Sequence, residues 1–177
     1  MNLVLDAFLF FLPAGFANMA PVLANKVPLL NHWQTPLDFG KKYRGKRIFG
    51  NNKTWRGLVS GIVLAGVVAY AEARFFPRAS AFETIGLTTL AGAFMGFGAL
   101  MGDAIESFFK RRMGVKSGSS WFPFDQIDYI VGGLAAVIPL VFPKDWALFL
   151  TVFILYFALN VLVSYIGYLL GLKTQPI

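Results

Sequence analysis

The sequence predicts an all-α integral membrane protein with five transmembrane helices, the N-terminus outside and the C-terminus cytoplasmic. Three observations carry this prediction. Hydrophobic residues fill 56% of the 177 positions and charged residues only 14%, with a mean hydropathy of +0.61; a soluble domain of this size could not cover such a surface. Five runs carry no charge: Ala7–Asn25, Gly57–Ala71, Thr84–Gly102, Tyr129–Pro143 and Trp146–Leu172. The basic residues, finally, are divided very unevenly among the segments that connect those runs.

A helix needs about 20 residues to cross about 30 Å of hydrocarbon. The runs extend to spans at 5–25, 55–76, 82–109, 125–142 and 146–171, one transmembrane domain over residues 1–177. The first begins MNLVLDAF, without the basic n-region of a signal peptide, and reads as a retained span. The second reaches full length with Glu72 and Arg74 at the interface. The third is closed by Asp103, and the fourth is short, opening near Asp125. Gly57/Gly61, Gly92/Gly96 and Gly167/Gly171 fit G-x-x-x-G and let helices approach closely. Pro13, Pro21 and Pro139 can kink their helices. No internal repeat is visible, which argues against a transporter built on inverted halves.

Orientation follows from charge. Residues 26–56 hold eight Lys or Arg, residues 110–116 hold four, and Lys173 adds one; Arg74, Arg78 and Lys144 are the three on the other side. The positive-inside rule then places two functional loops, 26–54 and 110–124, in the cytoplasm.

The acids are scarcer and more informative. Of nine, four cluster near the second loop: Asp103, Glu106, Asp125 and Asp128. Asp103, Glu106, Ser107 and Lys110 share one helix face by spacing, and Asp125 and Asp128 share another. Glu106–Lys110 also suits an ordinary i,i+4 pair, and acids favour a helix start. Asp103, however, ends a long apolar run, where an acid is costly without a partner. There is no cysteine, and His32 is the sole histidine, so a metal here would sit on oxygen ligands, as magnesium or calcium does.

The stretch GKKYRGKRIFGNNKTWRG, residues 40–57, holds seven Lys or Arg and no acid. Its first half, with Lys41, Lys42, Arg44, Lys46 and Arg47, suits an anchor on anionic lipid. The second half places Asn51, Asn52, Lys53 and Thr54 at a predicted helix start, where N–H groups, the helix dipole, an ammonium and a hydroxyl make a phosphate seat. It is not a P-loop.

Ser107-Phe108-Phe109-Lys110-Arg111, then Lys116, then Asp125-Gln126-Ile127-Asp128 resembles the S-x-F-K-R-x4-K…D-R-x-D pattern of the CTP-dependent phosphatidate cytidylyltransferase superfamily. Asn52-Lys53-Thr54-Trp55-Arg56-Gly57 is similar to its K-T-x-E-G segment, and Gly102-Asp103 and Glu106-Ser107 match as well. The chain departs from the bacterial form. Ser117 replaces an Asp, Gln126 an Arg and Arg56 a Glu, and the H-G-G is missing. These departures and the small size resemble the archaeal branch, the CDP-archaeol synthase family.

The resemblance covers about residues 38–133. It implies transfer of CMP from CTP to an unsaturated, geranylgeranyl-type diether glycerol phosphate, giving a CDP-lipid and pyrophosphate at the cytoplasmic face of the cell membrane. The implied partners are CTP, the lipid phosphate and the bilayer, and no nucleic acid. Asp103 and Asp125 are then the leading magnesium ligands, with Glu106 and Asp128 as direct or supporting ligands. Lys53 and Lys110 join Asp103 and Asp125 as catalytic residues. Asn51, Asn52, Lys53, Thr54, Lys110, Arg111 and Lys116 contact phosphates. The residues suit this chemistry independently, since a phosphate monoester is already largely ionised near neutral pH and needs no protein base. A CTP-dependent polyprenol kinase and a non-enzymatic polybasic adaptor remain as alternatives; the D-x-x-D-G-x-x-A-R pattern of CDP-alcohol phosphotransferases is absent.

Overall fold

The computed structural model describes residues 2–76, 84–115, 119–140 and 146–171. Within them lie α1 (Leu3–Lys26), α2 (Pro28–Asn31), α3 (Trp55–Phe75), α4 (Ile85–Arg112), α5 (Phe124–Val137) and α6 (Trp146–Leu169). An antiparallel ribbon, β1 (Lys42–Tyr43) with β2 (Lys46–Arg47), lies between α2 and α3. Arg44 and Gly45 join its strands, both at positive φ, as a two-residue hairpin turn requires.

Side-chain caps start three of the long helices. Asn2 accepts from the Val4 amide at 3.1 Å, Thr54 from Gly57 at 3.2 Å and Thr84 from Leu87 at 3.2 Å. Among the described residues, α1, α3, α4 and α6 are long and apolar enough to cross a membrane.

The segment expected as a fourth span is different. The 14 residues of α5 make about 21 Å of helix at 1.5 Å per residue, short of about 30 Å of hydrocarbon. Pro139 has no N–H to continue the ladder, and the Leu140 amide closes onto the Val137 carbonyl at 2.9 Å instead.

The helices alternate in direction. The start of α3 lies against the end of α1, where a Cβ added to Gly57 would meet Pro21 at 3.1 Å. Gly92 and Gly96 of α4 face Ala69 and Ala65 of α3, again antiparallel. Of the three expected G-x-x-x-G pairs, the two on α3 and α4 serve this packing, whereas Gly171 meets nothing within 4 Å. By contrast, α6 runs in the same sense as α1. Their first halves meet through Phe10 with Phe149 and Phe11 with Tyr156, and their second halves border one cavity. The core lies at those first halves, around the fully buried Phe11, Ile130, Val137 and Val152.

Candidate functional site

The site begins with three glycines. A Cβ on Gly102 of α4 would collide with the Asp128 carbonyl of α5, and one on Gly98 or Gly132 with the backbone of the opposite helix. Only glycine permits so close a crossing. It sets Asp103, just past Gly102, beside Asp128. Asp103, Glu106 and Asp128 each bring a carboxylate oxygen within 4.8 Å of the other two.

Asp125 is outside this group of three but lines the same cavity, beside Glu106 and Lys110. Its Oδ1 lies 2.5 Å from Lys110 Nζ, and its Oδ2 accepts from the Trp121 amide at 2.7 Å. The sequence placed Asp125 ahead of Asp128 as a metal ligand; the glycine crossing registers α5 on α4 through Asp128, so it is Asp128 that lies with Asp103 and Glu106. Lys110 also reaches Glu106 at 3.4 Å. That i,i+4 pair is not an ordinary surface one, since both residues are buried and the lysine is shared with a second helix.

Cations face the trio from two directions. Lys53 comes from the long loop, its Nζ 2.5 Å from Asp103 Oδ1, and Lys110 comes from α4 itself. Together with Asn51, Asn52 and Arg111 they line a cavity of about 810 Å³. The expected phosphate contacts are thus gathered on one cavity, with two exceptions. Lys116 lies outside the described residues. Thr54 is not on the cavity wall; its hydroxyl accepts from the Gly57 amide as the α3 cap. At the expected seat, the α3 N-terminus, the Trp55 amide donates to Thr35 O and the Gly57 amide to Thr54 Oγ1.

The wall that carries Asn51 to Lys53 is held by residues that pattern reading missed. Asp38, its side chain fully buried, accepts from the amides of Gly40 at 3.0 Å, Phe49 at 3.0 Å and Gly50 at 3.3 Å. It also accepts from Arg47, through Nε at 3.3 Å and Nη2 at 2.5 Å. Burial alone would raise the pKa of this carboxyl, but the Arg47 guanidinium and three amides outweigh it and bring it down to about 2. The available signal was a single acid in so basic a loop. Arg56, where the superfamily has Glu, is buried and donates to Asn25 Oδ1 at 3.1 Å and Asn31 O at 3.2 Å, fastening the end of α1 and α2 to the start of α3. Gln126, where it has Arg, lines the cavity with its Oε1 buried and unpaired.

The remaining lining divides by chemistry. Asn18 of α1 with Asn160 and Ser164 of α6 carry polarity into the cavity, while Met19, Val22 and Leu23 of α1 and Val163 of α6 border it with exposed apolar surface. The donor set suits a hard cation. It is carboxylate oxygen alone, Glu106 Oε1 is buried with Lys110 Nζ beside it at 3.4 Å, and the exposed His32 is not on the cavity.

Comparison with known proteins agrees in extent and in fold. The family model described as "CarS-like: CDP-archaeol synthase" matches residues 1–177. The CDP-archaeol synthase of Halorubrum lacusprofundi is 38% identical over 185 residues, covering 99% of this chain and 98% of that protein. That of Pyrococcus abyssi is 38% identical over 154 residues, covering 86% of each. A solved structure of an intramembrane enzyme for archaeal membrane lipids biosynthesis superposes with a TM-score of 0.76 at 27% identity. It covers 91% of this chain and 94% of the other.

Proposed function

The chain belongs to the CarS-like family of CDP-archaeol synthases, and on that premise we propose that it transfers CMP from CTP to an unsaturated diether glycerol phosphate. The observation that carries this reading is the facing of Asp103, Glu106 and Asp128 by Lys53 and Lys110 in a cavity with an apolar border. In the reaction a lipid phosphate oxygen bonds to the α-phosphorus of CTP, the bond to the β-phosphate oxygen breaks, and pyrophosphate leaves. The attacking phosphate is already an anion, so positioning and charge stabilisation are what the protein supplies.

Asp103, Glu106 and Asp128 are the residues that would hold magnesium, whose chemistry is to neutralise charge on the triphosphate and on the leaving pyrophosphate. Lys53 turns from Asp103 to the nucleotide phosphates as they seat, with Asn51 and Asn52 beside it. Lys110, held between Glu106 and Asp125, and Arg111 complete the cationic wall. The lipid tails lie between the second halves of α1 and α6, where Met19, Val22, Leu23 and Val163 meet the bilayer.

Five crossings fit this arrangement. The parallel sense of α1 and α6 requires an odd number of passages counted from α1 to α6, which supports α5 as the fourth despite its length. The weight of basic residues supports a cytoplasmic site, N-terminus outside.

The test is purified protein with labelled CTP, magnesium and a panel of lipid phosphates. CDP-lipid and pyrophosphate are expected. Release of CDP with a phosphorylated lipid would instead indicate a kinase, and no turnover with any diether phosphate would overturn the reading.

A further inference from the structure

Asp38 lies in a loop, outside the lining of this cavity, yet its bonds converge on the segment that forms part of it. We propose that Asp38 is a positioning residue for the nucleotide, acting through Asn51 and Lys53; this rests on the nucleotidyl-transfer reading above. The loop is zipped at its base, where Pro36 pairs with Thr54 and the Leu37 amide donates to the Lys53 carbonyl at 2.8 Å. One residue later, the Asp38 carboxylate takes the amides of Phe49 and Gly50, which fixes the other end of the segment from Phe49 to Lys53. Phe49, Gly50, Asn51, Asn52 and Lys53 all line the cavity. Arg47 adds a third constraint, because the guanidinium that pairs with Asp38 also donates to Asn51 Oδ1.

A buried acid among seven cations could serve charge balance alone, but charge balance does not require this geometry. The donors to Asp38 come from Gly40, from Arg47 and from Phe49 and Gly50, so one carboxylate ties both legs of the loop together. Without it, three amides lose their acceptor and Arg47 loses the partner that aims it at Asn51. A lost acceptor of this kind leaves buried donors unsatisfied, and the segment must move to rehydrate them. Its movement carries Lys53 off the position from which it reaches Asp103.

The test is Asp38→Asn, which keeps the shape and one acceptor oxygen, assayed with CTP and lipid phosphate varied separately. The KM for CTP is expected to rise about tenfold while that for the lipid phosphate stays within about twofold, a split that general destabilisation would not produce. Lys53→Ala and the double variant complete a cycle. If Asp38 acts through Lys53, the double variant is no worse than Lys53→Ala. An additive double variant, an equal rise in both KM values, or an unchanged KM for CTP overturns the proposal. Should Asp38→Asn fail to fold, Arg47→Lys carries the same test, because it leaves the carboxylate and its amides in place and removes the fork that joins Asp38 to Asn51. The same CTP-selective rise is expected, and its absence overturns the proposal. Inactive wild-type protein would tell against the transferase reading; active wild type with an unaltered Asp38→Asn would tell against Asp38 alone.

Discussion

Two regions of this molecule concentrate charge, and they hold it in opposite ways. In the loop from Asp38 to Lys53 a single carboxylate is saturated with donors, so that its charge organises the backbone around it. At the crossing of α4 and α5 the backbone comes first. Gly98, Gly102 and Gly132 bring two helices together, and Asp103, Glu106 and Asp128 are carried along, Asp103 against Lys53 and Glu106 against Lys110. A charge that builds structure uses up its valence on the protein. The acids at the crossing are set in place by the helices that carry them.

The sharpest way to break this contrast is to neutralise the carried acids. Asp103→Asn and Asp128→Asn should each lower kcat on the order of a thousandfold, since metal-assisted charge stabilisation contributes several kcal/mol, while the protein still inserts and elutes as wild type. Near-normal turnover in both would move the reaction elsewhere. The second way leaves every acid in place and changes only the crossing. Gly102→Ala should part α4 from α5 and cost about a hundredfold in activity, the scale on which misplacement of about 1 Å is felt. Gly86→Ala, where a Cβ meets nothing within 4 Å, is the control and should be neutral.

The third separates the parts of the basic loop. Lys53→Ala should lower kcat/KM by about tenfold to a hundredfold, the range of one charge-assisted contact. Lys41→Ala with Lys42→Ala, near the exposed ribbon and away from the cavity, should leave CTP kinetics within a few-fold. Equal damage from both would make the whole loop part of the site.

The smallest effect is one of pH. Because the Asp38 pKa is lowered, its stabilisation is complete above the ordinary value of 3.8 and is lost as pH falls through about 2. Pepsin cleavage within residues 38–53 should therefore rise in wild type over that window. In Asp38→Asn it should be fast throughout, and a flat wild-type profile would contradict the clamp.

How much of this was legible depended on the range of the interaction. Uncharged runs locate the four long helices because hydropathy is a local property. The i, i+3 and i+4 spacing puts Asp103 and Glu106 on one face for the same reason. Which of Asp125 and Asp128 joins them was not legible, since both lie on the helix face that the spacing selects and the choice is made by a contact at Gly102. Thr54 shows a related limit: a hydroxyl at a helix start suits both a phosphate and a cap, and here the Gly57 amide takes it. Asp38 escaped because its five donors come from four residues that only the folded loop assembles.

One feature of the cavity bears on how such a catalyst is supplied. Val22 and Val163, each 64% exposed, border it from α1 and α6. A substrate with hydrocarbon tails can then present its phosphate sideways, arriving and departing by diffusion in two dimensions. Lifting tails into water costs about 0.8 kcal/mol per methylene, so even ten carbons would add about 8 kcal/mol to every turnover of an enzyme with a closed wall. With that border open, the concentration that governs turnover is the mole fraction of substrate among its neighbouring lipids, and diluting the membranes in buffer should leave the rate per molecule of enzyme unchanged at saturating CTP.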